Sequence, residues 1–183
     1  MTSFELGLLS AAPVSEHPQL VAAPTAALIA ELGWGHRLGA VAIDPERSDT
    51  INFVATFGLT DDLAANCVIV SGAREGVERV AACVILANTR ADINTTVRKR
   101  LDVRKASFMP LELAVQRTGM EYGGITPIGL PRDWPILIDA RVAEASLLTL
   151  GAGVRAAKII APGSLLAELP GAEVIEGLAR AIA

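Results

Sequence analysis

Histidine, cysteine and aromatic side chains are all scarce in this chain, and each scarcity removes a class of chemistry. Two histidines, His17 and His36, and two cysteines, Cys67 and Cys83, are scattered among 183 residues, a distribution that offers no zinc-ligand spacing. No metal and no other cofactor is expected. Neither histidine has a serine or cysteine nucleophile with a recognisable local signature, so both read as surface or loop residues rather than members of a Ser-His-Asp or Cys-His triad. Cys67 and Cys83 sit in aliphatic, strand-like runs, where a reduced thiol packs as a small hydrophobe. With aromatic residues at 4% there is no stacking platform for sequence-specific reading of single-stranded RNA.

Charge of one sign is also lacking: 16 Lys and Arg face 20 Asp and Glu, for a net charge of −4. That excludes a globally basic nucleic-acid coat, and any nucleic-acid contact must use a local patch. Mean hydropathy is +0.44, yet no uncharged apolar run approaches the roughly 18 residues of a spanning helix, and Pro18 and Pro24 interrupt the best candidate. No membrane association is expected. The first residues lack a basic start followed by an apolar segment, so the expected location is cytoplasmic.

The abundant residues are alanine and the aliphatics, and their periodicity outlines the elements. Pro24 to Leu32, with proline in its first turn and Gly33 after its end, predicts a helix. Leu38 to Ile43 reads as a strand. Ser48-Asp49-Thr50 offers an N-cap for a helix over Ile51 to Phe57, closed by Gly58. The runs Cys67 to Val70 and Val77 to Ala87 predict an antiparallel pair joined by a loop over Ser71 to Gly76. Ile93, Val97 and Leu101 fall at helical spacing, with Arg98, Lys99 and Arg100 on the other face. Lys105 to Phe108 predicts a strand, and Pro110 to Thr118 a helix stopped by Gly119. Strands follow at Ile136 to Asp139, Leu147 to Leu150 and Lys158 to Ala161, and a helix from Pro162 through Leu169. Strands and helices mix without a repeating βαβ unit, which predicts an α+β fold around a mixed, curled sheet.

Between Gly119 and Pro135, four glycines and three prolines exclude regular structure and predict a long shaped loop. Its segment Gly123-Gly124-Ile125-Thr126-Pro127-Ile128-Gly129 either serves as an ordinary connection or lets main-chain N–H groups approach a carbonyl or amino group, because glycine places no Cβ in the way. It matches neither Gly-x-Gly-x-x-Gly nor a Gly-Lys-Ser/Thr phosphate loop, which disfavours nucleotide hydrolysis.

Thr118-Gly119, then Gly123-Gly124-Ile125-Thr126-Pro127-Ile128-Gly129, a strand ending in Asp139, the pair Gly151 and Gly153, and Leu165 in a following helix occur in the order and spacing of a known family. Over roughly residues 51–169 the chain resembles the YbaK/EbsC family, also called the prolyl-tRNA synthetase-associated domain, whose members deacylate mischarged aminoacyl-tRNAs. The resemblance implies a YbaK-like central mixed, barrel-like sheet flanked by helices. It implies a domain over residues 46–183, with residues 1–45 adding a helix and a strand packed as part of the same unit.

The resemblance also implies an aminoacyl pocket beside the glycine loop, with Gly123 and Gly124 in the catalytic role. Ile125, Thr126, Pro127, Gly129, Asp139, Gly151 and Gly153 are the expected substrate-binding set. Asn66 stands where the family typically keeps a lysine, so it either orients water or the terminal ribose, or is a turn asparagine before a strand. Asp139 acts on the substrate or braces the strand end. The position after Gly151 and Gly153, often aspartate or histidine in the family, falls near Ala157, between Arg155 and Lys158.

Arg98, Lys99 and Arg100 form either a solvated helix face or a contact for the tRNA acceptor end. The implied function is trans-editing hydrolysis of misacylated tRNA, with a synthetase as a second partner. The alternative is a binding module of the same fold that recognises tRNA ends, a synthetase or an amino-acid-like ligand without the chemistry.

Overall fold

Two long paired strands, one of them buried on both faces along most of its length, organise the molecule, which is described from a computed structural model. The description covers residues 4–48 and 50–182, without the side chains of Thr50 and Ile51. In chain order the elements are β1 (Phe4–Leu6), β2 (Leu9–Pro13), α1 (Ala23–Leu32), β3 (Gly39–Ala42), α2 (Thr50–Thr56), β4 (Ala65–Arg74), β5 (Val77–Leu86) and β6 (Thr89–Ala91). There follow α3 (Arg98–Leu101), β7 (Ala106–Phe108), α4 (Leu111–Thr118), β8 (Ile136–Asp139), α5 (Ala140–Glu144) and β9 (Leu148–Gly151). Last come β10 (Ala157–Ala161), α6 (Gly163–Leu166), β11 (Ala172–Ile175) and β12 (Ala179–Ala181).

One sheet has the order β1-β2-β3-β10-β9 and is antiparallel throughout. The other, β11-β8-β5-β4-β7, is mixed, because β8 runs parallel to both β5 and β11. A parallel bridge from Ala64 to Thr149 joins the two where β4 begins and β9 passes, so the sheets curl toward each other. Along β5, Val80, Ala82, Val84 and Leu86 enter the main core between the sheets, while Ala81, Cys83 and Ile85 enter a second cluster on the outer face. A strand buried on both faces needs no polar alternation, which is why this segment reads as an unbroken aliphatic run. Phe4, Leu9, Phe53 and Ile160 close a third cluster on the outer face of the first sheet. The fold is α+β with a curled, barrel-like mixed sheet: the sequence pattern predicts the curled mixed sheet, and the family resemblance its barrel-like form.

The helix expectations hold where punctuation is strong. α1 ends at Gly33 and α4 at Gly119, both in the left-handed conformation that glycine adopts without strain. The segment from Ile93 opens with a wider turn through Val97 and then continues as α3, burying Val97 and Leu101 against the outer face of β5. The expected N-cap at Ser48-Asp49-Thr50 falls at Asp49 and the Thr50 side chain, outside the described residues.

Two boundaries differ from expectation. The loop predicted over Ser71 to Gly76 contracts to Glu75 and Gly76, both at positive φ, because Ser71 to Arg74 pair across to β5 and Ser71 also meets Ser107 of β7. The helix predicted through Leu169 stops at Leu166; turns carry the chain onward while Leu165, Leu166 and Leu169 stay buried.

Residues ahead of α2 are integrated by pairing and packing. β3 pairs with β10, and Val14, Leu28, Trp34 and Leu38 belong to the main core. No helix among the described residues is long and apolar enough to cross a membrane.

Candidate functional site

A cavity of 410 Å³ opens between β4, the start of α4, the glycine loop and the turn that joins β9 to β10. Much of its lining is apolar: Val68 and Ile69 come from β4, Met109, Leu111 and Ala114 from the approach to α4 and its first turns, and Ile125 from the loop. Ser48, Asn66, Arg155 and Lys158 also line it, and Gly123 lies beside Ser48 and Arg155. Among the described residues the lining carries two cations and no carboxylate.

The loop is held by its own backbone. Gly124 donates its N–H to the Glu121 carbonyl at 3.0 Å, Gly153 donates to the Gly124 carbonyl at 2.7 Å, and Glu121 donates to the Gly153 carbonyl at 2.8 Å. A carboxylate oxygen of Glu121 accepts the Arg155 backbone N–H at 2.6 Å. These bonds clip the loop onto the β9–β10 turn, and the approach is so close that a Cβ on Gly124 would lie 2.6 Å from the Val154 backbone. A Cβ on Gly151 would collide with the carbonyls of Gly124 and Ile125.

The expected site residues therefore divide. Asn66, Gly123, Ile125 and Gly151 line the cavity. Gly124 is packed behind it, with its N–H already engaged. Thr126 is fully buried, donates its backbone N–H to the Met120 sulfur, and its hydroxyl has no hydrogen-bond partner among the described residues. Gly129 and Gly153 pack against Pro24, Thr25 and Ala22 at the start of α1, and Pro127 lies in the same loop without lining the cavity.

Asp139 sits at the end of β8, away from the cavity, where it caps α5. Its carboxylate accepts from the Arg141 backbone N–H at 3.1 Å, from the Arg141 guanidinium at 2.8 and 2.9 Å, and from Ala179 N–H at 2.9 Å. Burial acts to raise its pKa, but these hydrogen bonds and the Arg141 charge outweigh it and hold the carboxyl below its usual range.

Arg98, Lys99 and Arg100 ride on α3, whose buried residues pack on the outer face of β5, across the second sheet from the main core. They do not reach the cavity. Arg100 is paired with Glu173, and Arg98 donates to the Asn94 carbonyl at 2.8 Å.

The sequence reading did not select Ser48, Tyr122, Arg155 or Lys158. Lys158 is 8% exposed; its ammonium donates to the Ser48 carbonyl at 3.1 Å and lies 5.0 Å from the centre of the Phe53 ring. The Ser48 hydroxyl is buried and has no hydrogen-bond partner among the described residues. The Arg155 guanidinium covers the exposed Tyr122 ring at 5.2 Å and donates to the Pro45 carbonyl at 3.0 Å. One signal pointed to Lys158: it is the lone charged residue in the aliphatic run from Ala156 to Ala161.

Candidate nucleophiles are poor. Burial, and then the neighbouring Cys83, push the Cys67 thiol far up, and burial pushes Cys83 up to about 12. Both are protonated at neutral pH. Cys67 faces the main core and Cys83 the outer cluster, so the two thiols lie on opposite faces of the sheet. Ser15 does meet His36 at 3.0 Å, but both are exposed and neither lines the cavity. Among the described residues no three His, Cys, Asp or Glu side chains converge as metal ligands.

A family model described as an aminoacyl-tRNA editing domain matches residues 44–169. No curated protein matches the sequence. Among solved structures, the hypothetical protein APE2540 has a TM-score of 0.74 at 19% identity, covering 86% of this chain and 99% of that one. A candidate trans-editing enzyme for prolyl-tRNA synthetase has a TM-score of 0.70 at 18% identity, covering 90% of this chain and 96% of its own. Identities this low carry the fold alone.

Proposed function

Because the chain belongs to the aminoacyl-tRNA editing domain family, we propose that it is a trans-acting deacylase that hydrolyses the ester of a misacylated tRNA in the cytoplasm. The observation that carries this reading is the position of the cavity: every lining residue, from Ser48 to Lys158, lies inside the matched span 44–169. Its apolar wall suits an uncharged amino-acid side chain.

An aminoacyl ester is an activated carbonyl, so catalysis needs an oriented water and donors for the developing oxyanion rather than a protein nucleophile. The protonated state of Cys67 agrees with this. Water oxygen adds to the carbonyl carbon, the bond to the ribose oxygen breaks, that oxygen takes up a proton, and the amino acid leaves with a free carboxylate. In this scheme the Gly123 backbone faces the carbonyl, and Gly124 and Gly151 hold it there by close packing. Asn66 orients the water or the terminal ribose. Arg98 and Lys99 meet the acceptor-stem backbone, and a synthetase that supplies the mischarged tRNA is the second partner.

One observation favours a second reading, a binding module without chemistry. Asn66 supplies a neutral amide where the resembled family keeps a cation. Release of amino acid from a panel of misacylated tRNAs decides between them: release above the spontaneous rate with at least one tRNA is expected, and none above it with any tRNA rules out the deacylase.

A further inference from the structure

We infer that Glu121 is a positioning residue for the deacylation: its carboxylate holds the turn that sets the direction of the Gly123 backbone, without touching the substrate. The catalytic consequence rests on the editing reading, and the hold itself on the geometry of the loop. Glu121 is exposed and does not line the cavity, whereas Tyr122, Gly123 and Arg155 do. Its three polar groups are nonetheless spent on the two segments that meet there. The N–H donates to the Gly153 carbonyl at 2.8 Å, the carbonyl accepts from Gly124 at 3.0 Å, and the carboxylate accepts the Arg155 N–H at 2.6 Å. The last is a charge-assisted bond, shorter and stronger than a bond between neutral groups.

The bond from Gly124 back to Glu121 closes a four-residue turn with Tyr122 and Gly123 at its centre. Gly123 has a φ of +76° while Tyr122 is not at positive φ, the signs of a type II turn. Type I and type II turns can share that closing bond and differ in the direction of the peptide between the two central residues. Glycine populates either sign of φ, so neither the closing bond nor residue 123 alone decides which way this peptide points. The attachment of the turn decides it. The carboxylate of Glu121 seats Arg155 so that its guanidinium covers the Tyr122 ring at 5.2 Å, and a Cβ on Gly123 would stand 3.3 Å from the same group. Arg155 is anchored on the far side by the Pro45 carbonyl at 3.0 Å. The peptide that would turn over is therefore pinned from outside, and Glu121 is the tie that brings the pin to it.

Deacylation of a misacylated tRNA by the full chain, together with backbone amide exchange followed by NMR, tests this role. Glu121→Ala is expected to lower kcat about tenfold and to leave KM within about twofold, because a misdirected backbone costs turnover rather than binding. In the same variant the amides of Gly124 and Arg155 should exchange about tenfold faster. Glu121→Gln keeps an acceptor oxygen at nearly the same reach and should restore both readouts to within about twofold of the parent. An unchanged kcat in Glu121→Ala would overturn the proposal, as would a fall in kcat with parent-like exchange at Gly124 and Arg155. An equally deep loss in Glu121→Gln would overturn it too, by assigning the effect to charge rather than to the bond. A parent that deacylates no tRNA would end the catalytic role along with the editing reading, and faster exchange in Glu121→Ala would then place the failure in the reading and not in the hold.

Discussion

Asp139 and Ser48 are both nearly inaccessible polar residues at the ends of elements, yet their surroundings are opposite. The oxygens of Asp139 accept four hydrogen bonds from Arg141 and Ala179, and Arg141 donates onward to the Ala179 carbonyl at 2.7 Å. The Ser48 hydroxyl accepts and donates none among the described residues. A buried polar group whose bonds are all internal stabilises the fold, whereas a buried hydroxyl with none costs it about 1–3 kcal/mol. The carboxylate singled out by sequence thus belongs to the first kind, and the serine that drew attention only as a helix cap belongs to the second.

The largest way to break the comparison is Asp139→Ala. Removing a buried, fully bonded carboxylate strands the Arg141 guanidinium and the Ala179 N–H, and should cost about 2–4 kcal/mol in urea unfolding. A loss under about 0.5 kcal/mol would mean the knot is not structural. The same carboxyl sets a pH dependence. Its pKa is lowered on folding, so its contribution is complete above the ordinary carboxylate range and is lost as pH falls through the depressed folded value. Asp92 behaves alike: burial opposes ionisation, but the Thr96 hydroxyl, the Arg180 charge and backbone N–H groups lower its pKa. Both carboxylates hold β12, one through Ala179 and the other through Arg180. Acid should therefore release the C-terminal strand before the main core, read as early loss of amide protection around Leu178 to Ala181. In Asp139→Asn that acid-dependent step should shrink.

Asn66→Ala comes next and belongs to the other side of the comparison. A fall in deacylation of about 10- to 100-fold with unchanged melting is expected for loss of one positioned amide, and Asn66→Lys should raise or broaden activity. Single-turnover rates equal to the parent would reassign Asn66 to a structural turn. The smallest effect concerns the basic helix. Arg98→Glu with Lys99→Glu leaves the Arg100–Glu173 pair in place and should weaken tRNA binding about equally across sequences, lowering the salt slope by about 0.7–0.9 for each phosphate no longer neutralised. Hydrolysis of a minimal aminoacyl ester should be unaffected. An unaltered slope would leave α3 as a solvated face.

How much of this was legible depended on punctuation and on burial. Pro24 with Gly33, and Pro110 with Gly119, bracket helices that the structure reproduces to within a residue, because proline and glycine act locally. β1, β2, β11 and β12 escaped reading: they are short, polar or alanine-rich strands whose character comes from the partner each pairs with rather than from their own pattern. α5 escaped because it is a five-residue turn started by the Asp139 cap rather than by periodicity. Within the site, the glycine loop was visible as composition, but which of its glycines faces the cavity depends on the packing against Val154, thirty residues later. Lys158 was hidden for the same reason, since nothing local tells a lysine in an aliphatic strand whether it ends in solvent or in a cavity.

The strand order of the first sheet bears on how the chain is made. β3 lies between β2 and β10, and Val41 pairs with Lys158, 117 positions later. At ribosomal speeds of about 5–20 residues per second, that separation amounts to roughly 6–23 s between the two strands. During this interval the edge of β3 waits without its neighbour while the β4–β5 hairpin, closed by two residues, is already able to form. The cavity is completed only when β10 delivers Lys158, so the strand that joins β3 to β9 and completes the first sheet is also the one that carries the buried cation.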